Sequence, residues 1–121
     1  MALREVAIFL LQTMAKNLGL DPNRLISTFK DIAQQLRFNY YPPCPKAADK
    51  VIGLSPHSDS DVLTLLLQVN DVHGLQVMNN GKWFTIEPLS GAFVVNVGDI
   101  LEVIELSVTY VHVHTHLYDI Y

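Results

Sequence analysis

His57 and Asp59 are the two residues of this sequence whose types and spacing best fit metal chemistry. They lie two positions apart, and side chains at that spacing on an extended strand point to the same side of the strand. An imidazole nitrogen and a carboxylate oxygen together supply two of the three ligands of a two-histidine, one-carboxylate iron site. Taken alone, the pair also fits a strand-end histidine that is hydrogen-bonded to a turn aspartate, so its interpretation depends on the surrounding sequence.

Several motifs flank this pair in a fixed order, and together they point to one family. They are Asn-Tyr-Tyr-Pro-Pro-Cys-Pro at 39–45, Gly-Leu-Ser-Pro at 53–56, Leu-Thr-Leu-Leu-Leu-Gln at 63–68, Gly-Leu-Gln-Val at 74–77, Gly-Lys-Trp at 81–83 and Ala-Phe-Val-Val-Asn-Val-Gly-Asp at 92–99. From about Leu3 to Glu102 this order resembles the plant 2-oxoglutarate- and Fe(II)-dependent dioxygenases, a family that includes the isopenicillin-N-synthase-like oxidases.

The resemblance implies a cofactor, a cosubstrate and a set of site residues. His57 and Asp59 would hold Fe(II), while Asn39 and Tyr41 would contact 2-oxoglutarate, with ascorbate as a supporting reductant. An amide and a phenol can donate hydrogen bonds to the keto acid without adding charge. Family members couple oxidative decarboxylation of 2-oxoglutarate to hydroxylation, demethylation or desaturation of a small organic molecule. The residues of these motifs most closely resemble the branch of the family that acts on alkaloids, flavonoids and related specialised metabolites.

The sequence departs from the family pattern at both ends. The family's N-terminal region has no counterpart before Met1, and after Glu102 the segment carrying the distal metal-binding histidine is replaced by unrelated residues. The abrupt change resembles a frameshift, a retained intron or a gene-model error. The interval from His57 to His114 is nevertheless close to the family's usual spacing, which makes His114 a candidate third ligand. The alternative is a surface histidine tract, His112-Val113-His114-Thr115-His116, with adventitious affinity for divalent metals.

No Arg-x-Ser motif, which the family uses to bind the far carboxylate of 2-oxoglutarate, occurs in the 121 residues. The sequence is therefore interpreted as a fragment of a dioxygenase, and a catalytically silent remnant that binds a metal or a partner is the alternative. A non-enzymatic jelly-roll binding module is a third possibility, which the metal and cosubstrate motifs together count against.

Hydrophobic periodicity predicts helices first and strands afterwards. Apolar residues recur at helical spacing from Leu3 to Leu18, and Gly19 ends that helix. The next helix is expected to begin with Asp21 as its N-cap and Pro22 in its first turn. Short apolar runs then predict strands at 37–41, 54–57, 63–69, 75–78, 82–85 and 92–97, with a tight hairpin turn at Asn79-Asn80-Gly81. Six short strands in a row predict a sandwich or a jelly roll, and the family resemblance implies the latter. The predicted fold is therefore mainly β with N-terminal helices, a partial double-stranded β-helix or jelly roll. The expected segments are a helical segment at 1–36, the partial jelly roll at 37–102 and a divergent tail at 103–121.

Composition limits the class of partner. The net charge is −4 and basic runs are absent, which argues against nucleic acid and anionic membranes as partners. No apolar run approaches the roughly 20 residues of a membrane span. The single cysteine, Cys44, cannot form an internal disulfide and is interpreted as a packed loop thiol. We therefore expect a cytoplasmic protein whose partner is a small-molecule substrate; no oligomeric state is predicted.

Overall fold

The computed structural model describes residues 3–31, 33–46, 50–108 and 116–119. The chain forms two compact units, Met1–Phe38 and Asn39–Tyr121. Among the described residues, no helix is both long enough and apolar enough to span a bilayer.

The described residues of the first unit form two helices, α1 (Leu3–Asn17) and α2 (Arg24–Phe29), which bury Leu11, Ala15 and Leu25. Gly19 ends α1 as predicted, with a φ of 71°. The N–H of Gly19 donates to the carbonyl of Lys16 at 3.0 Å, and the N–H of Leu20 donates to the carbonyl of Ala15 at 2.9 Å. These two bonds form a Schellman motif, which satisfies carbonyls that the last turn of a helix would otherwise leave open.

Helix α2 begins two residues later than the sequence predicted. Asp21 was expected to be the N-cap, but Asn23 occupies that position and makes no side-chain capping bond. Asp21 Oδ1 instead accepts from the N–H of Asn23 at 2.8 Å, and the Asp21 carbonyl accepts from the N–H of Arg24 at 2.9 Å. Asp21 and Pro22 thus form a turn that precedes the helix, since Asp readily hydrogen-bonds its own backbone two residues on.

The described residues of the second unit form two antiparallel sheets and one helix. Its elements are β1 (Leu54–His57), β2 (Leu63–Leu67), β3 (Leu75–Asn79), β4 (Lys82–Thr85), β5 (Phe93–Val97), α3 (Asp99–Val108) and β6 (His116–Asp119). One sheet has the strand order β1-β6-β3-β4, and the other pairs β2 with β5. Val62, Leu75 and Leu101 are its buried apolar residues. The mainly β architecture with N-terminal helices confirms the predicted fold class, a partial double-stranded β-helix.

The turn between β3 and β4 has the predicted form. Asn80 and Gly81 adopt φ values of 50° and 74°, and Asn79 pairs with Lys82 across the hairpin. Positive φ at both central residues is what a two-residue hairpin turn requires. The Asn-Asn-Gly motif therefore determines both the position of the turn and its type.

The strand predicted at 37–41 is absent, and this prediction was wrong. Residues 33–44 lie outside any helix or strand, and Phe38 and Tyr40 are 87% and 83% exposed. A strand needs a hydrogen-bonding neighbour, and no described segment pairs with this one. Pro42 and Pro43, which follow directly, also lack the N–H that a ladder uses.

The strand predicted at 63–69 ends two residues earlier, at Leu67. Beyond it, the Gln68 side-chain amide donates to Asn70 Oδ1 and to the carbonyl of Val72 in the following loop.

Candidate metal centre

His57 and Asp59 lie at the point where β1 ends. His57 is the last residue of the strand, and Asp59 follows in the loop. The His57 Nε2 and Asp59 Oδ1 atoms are 3.6 Å apart, and the two side chains are 34% and 18% exposed. The pair is thus partly screened from water yet open to a ligand on one side.

The second ring nitrogen of His57 determines what Nε2 can do. His57 Nδ1 lies 2.8 Å from the carbonyl oxygen of Ser55. Because a carbonyl only accepts, this contact assigns the proton of a neutral ring to Nδ1 and leaves the Nε2 lone pair facing Asp59. A histidine whose far nitrogen donates to a backbone carbonyl in this way is oriented as metal-binding histidines usually are.

The Asp59 carboxylate has unused acceptor capacity. Its Oδ2 atom is buried and has no hydrogen-bond partner in the part of the chain that the structure describes. Burying a carboxylate oxygen without a hydrogen-bond partner costs desolvation free energy, and a bound cation would offset that loss. The imidazole nitrogen and the carboxylate oxygen converge, and each can donate an electron pair to a metal ion. Such a mixed nitrogen and oxygen ligand set suits Fe(II) or Mn(II). These residues therefore fit the iron that the resemblance implies.

The remaining predicted site residues lie in other segments of the chain. Asn39 is exposed and Tyr41 half-buried, both in the segment outside helices and strands. Asp61, the nearest other carboxylate in the sequence, is exposed. His114 and His112 lie outside the described residues, and within the described ranges no cluster of three or more metal-binding side chains occurs. Strand β6 starts at His116 and places Leu117 opposite His57 in the sheet register.

Sequence reasoning missed the residues that hold the Asp59 loop. Asp99 and Gly98, which follow β5, donate backbone hydrogen bonds to the carbonyls of Asp59 and Val62. Ser58 donates its hydroxyl to the Asp99 carboxylate. The Gly-Asp sequence was noted only as part of a family motif. The physical signal that could have identified it is a small residue followed by a polar one directly after a strand, where close approach of another backbone is common.

Asn96 was also missed. It lies on β5 opposite Thr64, is only 5% exposed, and its Nδ2 atom has no partner among the described residues. The alternation of Phe93, Val95 and Val97 with Val94 and Asn96 placed it on the opposite strand face, but gave no sign that this face is the buried one.

Comparison with known proteins decides the family. The model of the 2OG-Fe(II) oxygenase superfamily matches residues 32–117. The chain belongs to this superfamily. Members use Fe(II) and 2-oxoglutarate, in agreement with the cofactors expected from the sequence. The match includes His57, Asp59, Asn39 and Tyr41, although it does not by itself assign a role to any of them.

Curated plant relatives are similar over most of the chain. Protein SRG1 of Arabidopsis thaliana is 52% identical over 103 residues, which are 84% of this chain and 28% of the relative. Oxoglutarate-dependent flavonoid 7-O-demethylase 1 of Ocimum basilicum is 51% identical over 102 residues, 84% of this chain and 27% of the relative. Codeine O-demethylase of Papaver somniferum is 43% identical and matched to a similar extent. The chain therefore spans little more than a quarter of the length of these relatives.

Solved structures support the fold. The crystal structure of JOX2 in complex with 2OG, Fe and JA superposes with a TM-score of 0.82 at 30% identity, covering 98% of this chain and 34% of that one. A full-length Neurospora crassa protein, solved in complex with alpha-KG and 5-formyluracil, superposes with a TM-score of 0.65 at 18% identity. This superposition covers 96% of this chain and 37% of the Neurospora crassa chain, and at that sequence identity it supports the fold alone.

Proposed function

We propose that this chain supplies part of the active site of a 2-oxoglutarate- and Fe(II)-dependent dioxygenase that oxidises a small organic metabolite. His57 and Asp59 would hold the metal, which supplies the oxidising chemistry when bound. The observation that carries the proposal is the convergence of His57 Nε2 and Asp59 Oδ1 at 3.6 Å, with the other His57 nitrogen occupied by a backbone carbonyl.

Asn39 and Tyr41 are proposed to bind and orient the keto acid. An amide N–H and a phenol O–H can each donate to a 2-oxoglutarate oxygen. The relatives that act on flavonoids and on codeine support a specialised plant metabolite as the substrate class. A cytoplasmic location is part of the same proposal, and it is supported by the absence of basic runs and of long apolar runs in the sequence.

Anaerobic titration with Fe(II) or Mn(II) tests the metal site. We expect His57→Ala and Asp59→Ala each to weaken binding by at least about 10-fold, since even residues behind the ligands commonly account for roughly 10- to 100-fold. Matched controls are His73→Ala and Asp61→Asn, which change an exposed histidine and an exposed aspartate elsewhere in the same unit. Equal affinity in the unmodified chain and all four variants would remove the pair as the site.

The same titration tests His114 as the third ligand. If the sequence spacing from His57 determines which histidine is the third ligand, His114→Ala should weaken metal binding far more than His112→Ala or His116→Ala. Equal small effects from all three would instead identify a loose histidine tract. Either result is interpretable beside the His57→Ala measurement, because that variant reports the pair independently of the tail.

A catalytically silent, metal-binding chain is the second candidate, favoured by the lack of an Arg-x-Ser motif in the 121 residues. Charge-assisted hydrogen bonds contribute about 1.5 to 3 kcal/mol each, so a missing bidentate arginine removes roughly 3 to 6 kcal/mol of cosubstrate binding. We expect little succinate release from 2-oxoglutarate by the 121-residue polypeptide with Fe(II) and ascorbate. Release comparable to that of a chain extended with family-like sequence at both ends would contradict this.

A further inference from the structure

Three hydrogen bonds join the loop that carries Asp59 to the start of α3. The N–H of Asp99 donates to the carbonyl of Asp59 at 2.8 Å, and the N–H of Gly98 donates to the carbonyl of Val62 at 3.0 Å. The Ser58 hydroxyl donates to Asp99 Oδ2 at 3.0 Å. Asp59 is therefore fixed through its own carbonyl and through the side chain of the residue before it.

These bonds act where the sheet no longer holds the chain. Strand β1 ends at His57, so Asp59 lies beyond the sheet ladder, and the β1–β6 register is already irregular between Leu54 and His57. The alternation of side chains along a strand therefore does not determine where the Asp59 carboxylate points. The hydrogen bonds with Gly98 and Asp99 hold this loop instead.

The approach of the two segments is close enough to require glycine. A Cβ atom on Gly98 would lie 1.9 Å from the carbonyl oxygen of Asp61 and 3.0 Å from that of Asp59. Both neighbours are backbone atoms, which cannot rotate away as a flexible side chain could. The start of α3 is further anchored by Leu101, which is fully buried.

We propose that Asp99 and Gly98 are positioning residues that align the Asp59 carboxylate with His57 for metal binding. This inference rests on the proposed metal site. Gly98 allows the backbones to meet, and Asp99 then holds the loop at two points, with its N–H on Asp59 and its carboxylate on Ser58. Neither residue is proposed as a metal ligand; both would act through the position of Asp59.

Ser58 makes the proposal testable without disturbing α3. Asp99 lies in the first turn of the helix, where a negative charge is itself stabilising, so an Asp99 variant alone would mix two effects. The Ser58→Ala change removes the same hydrogen bond from the loop side. Ser58→Thr retains the hydroxyl, and Asp99→Asn retains an acceptor oxygen. Ser60→Ala is the matched control, an exposed serine of the same loop.

The experiment is Mn(II) binding by the 121-residue chain, followed by electron paramagnetic resonance, with thermal unfolding of the apoprotein recorded for each variant. We expect Ser58→Ala and Asp99→Ala each to weaken Mn(II) binding by about 10-fold, the range found for residues that orient ligands. The double variant should lose no more than the larger single loss, because both changes break one bond. Ser58→Thr should recover most of the affinity, and Ser60→Ala should match the unmodified chain.

Two outcomes are distinguishable. If His57→Ala abolishes binding while Ser58→Ala and Asp99→Ala bind Mn(II) like the unmodified chain, the metal site stands and the positioning role is overturned. If His57→Ala and Asp59→Ala leave binding unchanged, the proposed function itself fails. Should Asp99→Ala not fold, Ser58→Ala and its threonine rescue decide the question, since a serine hydroxyl at an exposed position contributes little to folding.

Discussion

At the scale of single residues, the sequence predicted the closeness of the His57 and Asp59 side chains for a partly wrong reason. Two-residue spacing predicted that His57 and Asp59 would share a strand face, and their ligating atoms are indeed 3.6 Å apart. Yet the strand ends at His57, and hydrogen bonds from the distant segment at the start of α3 fix the Asp59 loop. Spacing cannot reveal such a bond, because it depends on which segments the fold brings together. The role of the pair as ligands stays a prediction.

Asn96 carries the residue-scale prediction. Its buried Nδ2 has no partner among the described residues, and an unsatisfied buried polar group costs about 1 to 3 kcal/mol. We expect Asn96→Val to raise the free energy of unfolding by about 1 kcal/mol, since valine also suits a strand. Urea denaturation measures the change, and Asn79→Val, at an exposed strand position, is the control. Lower stability in Asn96→Val than in the unmodified chain would contradict this expectation.

At the scale of elements, prediction succeeded where the chain specifies its structure locally. The β3–β4 hairpin follows from Asn and Gly, which accept positive φ, and the end of α1 follows from Gly19. Prediction failed at 37–41, where the alternating apolar residues have the composition of a strand but no described neighbour to pair with. Strand pairing is a non-local property, so a short apolar run alone cannot establish it.

Gly81 and Gly98 are both required as glycine, but for different reasons, namely a positive φ at Gly81 and a close backbone approach at Gly98. Gly81→Ala places a side chain at a φ of 74° in open space, and we expect a loss of about 1 kcal/mol in unfolding free energy. Gly98→Ala forces a Cβ against the Asp61 carbonyl, and we expect a loss of about 3 kcal/mol or more. Chemical denaturation of both variants measures the difference.

Gly91→Ala is the control for this comparison, since Gly91 shares the φ of 74° and the open surroundings of Gly81. It should behave like Gly81→Ala. A loss at Gly98 no larger than at these two positions would contradict the close approach of α3 to the loop.

At the scale of the whole molecule, the β2–β5 sheet exposes apolar side chains on one of its faces. Cross-strand partners share a face, so Leu65, Leu67, Phe93 and Val95 lie together. Leu67 is 45% exposed, and Phe93 and Val95 are each 39% exposed. Neither strand pairs with a further strand among the described residues. Open edges beside an exposed apolar face favour association between chains.

We therefore expect the 121-residue chain to self-associate as its concentration rises. Val95→Lys, which places a charge at the centre of this face, should keep the chain monomeric at concentrations where the unmodified chain associates. Size-exclusion chromatography with light scattering measures the mass. Leu89→Lys adds the same charge at an exposed loop leucine and should associate like the unmodified chain. Identical masses for all three proteins across the concentration range would contradict the prediction.

The position of β6 within its sheet has a consequence for how the protein is made. This strand lies between β1 and β3, although it follows both of them in the chain. At about 5 to 20 residues per second, synthesis from Leu54 to Asp119 takes roughly 3 to 13 seconds. During that time the β3–β4 hairpin can form from neighbouring residues, whereas β1 still lacks β6, its partner among the described strands. The strand ending at His57 therefore has to wait for this partner until Asp119 has been synthesised.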